Sequence, residues 1–86
     1  MAVSRKAAGK AEDYVQEIKA IVRRRFPDAE FNVHRLKPDE YRMEVIADAE
    51  DAFDILDLTS ERSTDILVDT GIWIVVTPIR RAELVD

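Results

Sequence analysis

A six-residue run near the end of the chain, Ile72-Trp-Ile-Val-Val-Thr77, sets the strongest limit on the fold. It follows Gly71, is rich in β-branched and aromatic side chains, and offers apolar groups to both sides of an extended backbone. It therefore reads as a central strand that needs cover on each face. A chain of 86 residues has room for one small domain around such a strand and not for two.

The upstream sequence supplies part of that cover. Ala11, Tyr14, Val15, Ile18, Ile21, Val22 and Phe26 recur every three or four residues between Lys10 and Phe26, which makes one apolar stripe on a helix that Pro27 stops. Residues 1–9 lack this period and read as a flexible lead-in. Arg23, Arg24 and Arg25 fall in the last turn, where cations complement the negative end of the helix dipole.

From Glu30 to Lys37 the period changes to two, with Phe31 and Val33 on one side, Asn32 and His34 on the other, and Leu36 breaking the alternation near its end. Pro38 and Asp39 are a turn signal. Glu40 to Asp48 then alternates again, with Tyr41, Met43, Val45 and Ala47 inward and Arg42 and Glu44 outward. Pairing the inward sets in a β-hairpin puts Val33 opposite Met43 or Val45, and His34 beside Arg42 or Glu44.

Asp48 is placed to cap a second helix from Ala49 to about Thr70, with Glu50 and Asp51 in its positive first turn and Gly71 as its left-handed terminator. Ala52, Phe53, Leu56, Ile66 and Leu67 would face the sheet, while Leu58, Thr59, Ser60 and Ser63 weaken the middle and predict a bend or two shorter helices. Asp54, Asp57, Glu61, Asp65 and Asp69 form an acidic outer stripe. Pro78 ends the internal part of the last strand, or sits where a missing N–H does no harm, and residues 80–86 read as a polar tail.

The sequence thus predicts an α+β fold of order αββαβ in a single domain over residues 10–79. The second strand, second helix and third strand form a crossover unit with the two strands parallel, so both helices lie on one face of a three-stranded mixed sheet. The opposite face is left bare. There the last strand presents either Trp73, Val75 and Thr77 or Ile72, Ile74 and Val76 beside the hairpin's polar residues. A patch of that kind implies self-association or contact with another protein, with Trp73, Val75, Arg42 and His34 as the candidate interface.

Absences bound the chemistry. Without cysteine there is no disulfide framework, and one histidine cannot build a structural zinc site. Gly9 and Gly71 are too far apart for a phosphate-cradling loop, so neither a metal nor a cofactor is expected, and no catalytic residue is assigned. His34 beside Glu44 has the elements of a general base but no nucleophile at motif spacing. The aspartates of the second helix do not converge as the ligands of a calcium loop do.

The net charge of −5 hides an asymmetry: nine Lys or Arg against five Asp or Glu up to residue 37, and four against thirteen beyond it. The basic part supports an alternative reading in which Arg23, Arg24, Arg25, Arg35 and Lys37 contact an anion or nucleic acid, with His34 or Tyr41 for stacking. The overall acidity pulls against it. The longest apolar stretch is too short to span a bilayer and no apolar run follows Arg5 and Lys6, so no membrane association is expected and the cytoplasm is the default location.

From Phe26 to Leu84 the chain resembles a degenerate copy of the minimal nucleotidyltransferase core, of the polymerase-beta-like kind. Phe31-Asn-Val-His-Arg-Leu36 is similar to that family's first strand and Pro38-Asp-Glu-Tyr-Arg-Met-Glu-Val-Ile46 to its second. Thr64-Asp-Ile-Leu-Val-Asp-Thr-Gly-Ile-Trp-Ile-Val-Val-Thr-Pro-Ile79 is similar to its helix end and closing strand. The family's Gly-Ser turn is replaced by His34 and Arg35 or their neighbours, and its paired aspartates by Tyr41 and Met43. Two carboxylates on one strand face are needed to hold two Mg²⁺ ions, and neither replacement can do so. The resemblance therefore implies a catalytically silent relative.

Overall fold

The computed structural model describes residues 2–84, and their side chains over residues 11–82. Helix α1 (Ala2–Arg25) leads into strands β1 (Glu30–Lys37) and β2 (Glu40–Ala47), then helix α2 (Ala52–Thr70), strand β3 (Trp73–Arg80) and a 3₁₀ turn (Arg81–Leu84). The fold is α+β, and the order αββαβ matches the pattern read from the sequence.

The sheet runs β1-β2-β3, with β1 antiparallel and β3 parallel to β2. In the hairpin Val33 pairs with Met43 and His34 with Arg42, as the alternation requires. The register shifts between Arg35 and Lys37, so Leu36, where the alternation fails in the sequence, is the extra residue of a β-bulge. The backbone N–H of Trp73 donates to the Asp39 carbonyl at 2.8 Å, fastening the start of β3 to the hairpin turn.

One face of this sheet carries both helices. Ala11, Val15, Ile18 and Val22 of α1 share a single core with Ile55 and Ile66 of α2 and with Met43, Val45, Ala47 and Ile74 of the sheet. At about 1.5–3 kcal/mol for each fully buried large apolar side chain, this one layer boundary carries most of the hydrophobic stabilisation. The α1 stripe is the one the sequence predicts. Its cover stops short of the outer end of β1: Lys19 and Arg23 lie over the Phe31 ring at 5.7 and 4.9 Å, but Val33, on the same side, remains 37% exposed.

Several boundaries differ from expectation. The helix α1 begins at Ala2 instead of near Lys10, so residues 2–9 belong to it; Ala2, Ala7, Ala8, Arg5 and Lys6 there are strong helix formers, and Gly9 costs only about 1 kcal/mol in a helix interior. Met1 lies outside the described residues. The cap of α2 is Asp51, not Asp48: its backbone is extended, and its side chain accepts the Phe53 N–H at 2.9 Å. Residues 48–51 are consumed in lifting the chain from the sheet to the helix layer.

The helix α2 is unbroken from Ala52 to Thr70. The Thr59 hydroxyl donates to the Ile55 carbonyl at 3.2 Å and the Ser63 hydroxyl to the Ser60 carbonyl at 3.1 Å, so these residues are accommodated inside a continuous helix. With its hydroxyl satisfied, Thr59 can be fully buried, and the inward stripe becomes Ile55, Thr59 and Ile66. Phe53 and Leu67, expected to face the sheet, turn outward instead, Phe53 to 67% exposure. Gly71 terminates α2 as expected, with φ of 78° and its N–H donating to the Leu67 carbonyl at 2.8 Å.

The largest correction concerns β3. It is an edge strand, with β2 at the centre, and it runs on through Pro78 to Arg80. A proline is tolerated there because an edge strand leaves alternate N–H groups without a ladder partner. Arg80 is thus part of the sheet and Arg81–Leu84 form a turn, where the sequence suggests a tail; Val85 and Asp86 lie outside the described residues.

Candidate functional site

The strand register decides which residues the uncovered face displays. Tyr41 pairs with Ile74 and Met43 with Val76 on the helix side, so Arg42 with Val75 and Glu44 with Thr77 fall on the other. Of the two alternatives left by the sequence, the open face takes Trp73, Val75 and Thr77, and adds Ile79 beside Ile46. The hairpin contributes Asn32 and His34 opposite Glu44 and Arg42. All four residues expected at an interface, Trp73, Val75, Arg42 and His34, are therefore brought onto one surface.

That surface is graded across its width. Along β3 it is apolar, with Trp73 49% exposed and Val75 and Ile79 half-buried. In the middle, Glu44 lies between a histidine and a guanidinium: His34 Nε2 is 3.6 Å from Oε1 and Arg42 Nη2 is 3.6 Å from Oε2. Lys37 approaches Glu40 at 3.8 Å at the hairpin end. The His34, Arg42 and Lys37 ends of these pairs are exposed while the two glutamates are partly covered, and each pair is worth about 0–1 kcal/mol.

The opposite end of the sheet is closed by a residue that the sequence reading passes over. Arg81 donates to Asp48 Oδ1 at 3.0 Å, to Glu30 Oε2 at 2.8 Å and to the Asp28 carbonyl at 2.9 Å, tying the exit of β3 to both strands of the hairpin. The hydrogen bond to Glu30, helped by the charge of Asp48, raises the guanidinium pKa above its ordinary value. A raised pKa favours the charged form, so the Arg81 guanidinium is held as a cation between its two carboxylate partners. No local signal could have found it, because its side-chain partners lie 33 and 51 residues away in sequence. A second long-range pair, Arg62 with Glu17, joins the two helices, and Arg62 also lies 5.8 Å from the centre of the Tyr14 ring.

The five cations proposed for anion contact do not form one track. Arg23, Arg24 and Arg25 stand at the end of α1 near the start of β1, whereas Arg35 lies four residues beyond Phe31, about 13 Å along the strand. Lys37 pairs with Glu40, on the open face, away from the others. Several aromatic faces near them are already occupied, with Arg23 over Phe31, Arg25 over Phe26 at 5.6 Å and Arg35 over Tyr41 at 5.9 Å. His34 stands on the open face beside Glu44.

A shallow pocket of about 100 Å³ lies between the end of α1 and the exit of β2, lined by Arg25, Phe26, Pro27, Asp28, Ala29 and Asp48. It is smaller than the ~300–1,000 Å³ typical of small-molecule sites. Among the described residues no three His, Asp or Glu side chains converge as metal ligands would, and no helix is long and apolar enough to cross a membrane. Tyr41 and Met43 are on the covered side of β2, with Met43 fully buried. Compared with family models, curated proteins and solved structures, the chain matches none.

Proposed function

We propose that this chain is a small non-catalytic domain that works by protein contact through the open face of its sheet. The observation that supports the reading is Trp73, half-exposed in line with Val75 and Ile79 on a face no helix covers, while the same strands bury Met43, Val45 and Ile74 on the other side. Tryptophan is the residue type most enriched at binding hot spots, and a flat apolar margin beside charged groups is the usual composition of an interface core and rim. The reading keeps the cytoplasm as the default location.

The test uses Val75→Lys, a substitution at the middle of the apolar margin. In extract of the source cells, the tagged wild-type chain should elute in an assembly heavier than its 9.9 kDa, and the Val75→Lys chain at the monomer position with an unchanged circular dichroism spectrum. Equal elution of the two would refute the reading. The nucleic-acid alternative is checked in parallel: salt-dependent retardation of RNA or DNA by the wild type, abolished when Arg23, Arg24 and Arg25 are all changed to Ala, would favour it instead.

A further inference from the structure

We infer that the occupant of the open face is a second copy of this chain, packed face to face about a two-fold axis that lies in the interface and crosses the strands. The inference rests on the protein-contact reading above and names the partner. Its ground is the way charge and apolar surface are distributed over the face.

Along the strands, the face is divided at the level of Met43. On the side of the hairpin turn stand Arg42 and His34, with Lys37 and Glu40 paired at the end, and on the other side Glu44 and Asn32, with Glu30 and Ile46 beyond them. Across the strands, it is divided again, into the apolar margin of β3 and the polar margin of β1. Only some symmetry operations satisfy both divisions. An axis parallel to the strands lays the apolar β3 margin on the partner's polar β1 margin and sets Arg42 against the partner's Arg42. An axis across the strands, at the level of Met43, lays apolar margin on apolar margin. Arg42 then faces the partner's Glu44, and Glu44 the partner's Arg42. The Arg42–Glu44 pair and the apolar β3 margin are their own complement about that axis and not about the axis parallel to the strands, which is the requirement for a closed homodimer.

The free edges argue against the competing assembly, in which two sheets join side by side. On β1 the bulge at Leu36 and the charges of Arg35 and Lys37 interrupt a regular ladder. On β3, Pro78 removes a backbone donor. Both are devices by which edge strands avoid pairing with a neighbour. Face-to-face stacking needs neither edge and matches the ordinary separation of packed sheets, about 10 Å. Three strands of eight residues make a face about 14 Å wide and 26 Å long, about 360 Å² per copy and below the ~1,200 Å² total at which stable interfaces begin, so the dimer should be weak and concentration-dependent.

The experiment is a charge-exchange set read by sedimentation equilibrium on the purified full chain over about 10–500 μM. Arg42 is exposed and Glu44 half-exposed, so Arg42→Glu and Glu44→Arg should both fold. The wild type should dimerise. Each single variant, which sets like charges against one another, should weaken the dimer by about tenfold or more. An equimolar mixture of the two variants should restore it, because each places its new pair of like charges against the opposite pair on the other chain. The double variant Arg42→Glu/Glu44→Arg should dimerise as the wild type does. Failure of the mixture to associate would overturn the axis and with it the inference, as would single variants that dimerise normally. A wild type that stays monomeric across the range would overturn the second-copy inference alone. The broader reading would then stand or fall by whether Val75→Lys changes the elution of the chain in cell extract.

Discussion

The two faces of the sheet are made by alternate residues of the same strands and have opposite fates. In β2, Met43, Val45 and Ala47 are fully enclosed, while Arg42 between them and the turn is exposed. In β3, Ile74 is buried and its neighbour Trp73 is half in water. Strand propensity cannot account for the contrast, since Trp73, Val75 and Ile79 are as suited to a covered sheet as Ile74. The difference is supplied by helices. Two of them fit over one side of three strands, and among the described residues no helix lies over the other.

The contrast can be tested by making matched changes on each face. Met43→Ala should destabilise the domain by about 2–5 kcal/mol in chemical denaturation, because it leaves a cavity under both helices. If its effect were as small as that of an open-face change, the covered face would not be the core. Gly71→Ala tests the handover from α2 to β3. A methyl there meets no atom within 4 Å, so the cost is backbone strain alone, about 1–2 kcal/mol for an L-residue at a φ of 78°. A loss much beyond that would show that the turn does more than change direction.

Asp51→Ala should cost about 1 kcal/mol in thermal or chemical melting by removing the cap of the helix that covers β3, and Asp48→Ala should not reproduce a cap effect. Equal effects from the two, with the same loss of helicity, would return the cap to Asp48. On the open side, Val75→Lys should change monomer stability by about 0.5 kcal/mol or less while changing association, so that the two readouts separate. Arg81→Ala should lower the melting temperature by less than Met43→Ala does, since its three hydrogen bonds are exposed, and should speed amide exchange at the start of β1.

Much of the covered side could be read in advance. The α1 stripe from Ala11 to Phe26 and the pairing of Val33 with Met43 depend on periods of 3.6 and 2, which are local and survive in the sequence unaltered. Gly71 was equally legible, since a left-handed terminator favours one residue type. The phase of α2 was not. Thr59 enters the core because its hydroxyl finds the Ile55 carbonyl within the same helix, an arrangement that a division into polar and apolar residues counts as an interruption. The position of β3 was misread for a related reason. A strand apolar on both sides looks central, but here one side faces the core and the other faces outward at the margin of the sheet.

The candidate face was half legible. Its four residues, Trp73, Val75, Arg42 and His34, follow from alternation, but the choice of Trp73 over Ile74 as the outward residue needed the parallel register of β2 and β3. The Arg81 strap was not legible at all.

The sequence by itself determined the elements and their order, because helix and strand periods, a proline stop and a glycine turn act through neighbours a few residues apart. The tertiary structure alone decided which strand lies at the edge, which side of it is dry, and which distant carboxylates meet Arg81. These depend on where two helices come to rest on a sheet, and that position is fixed by packing between residues that the chain keeps far apart.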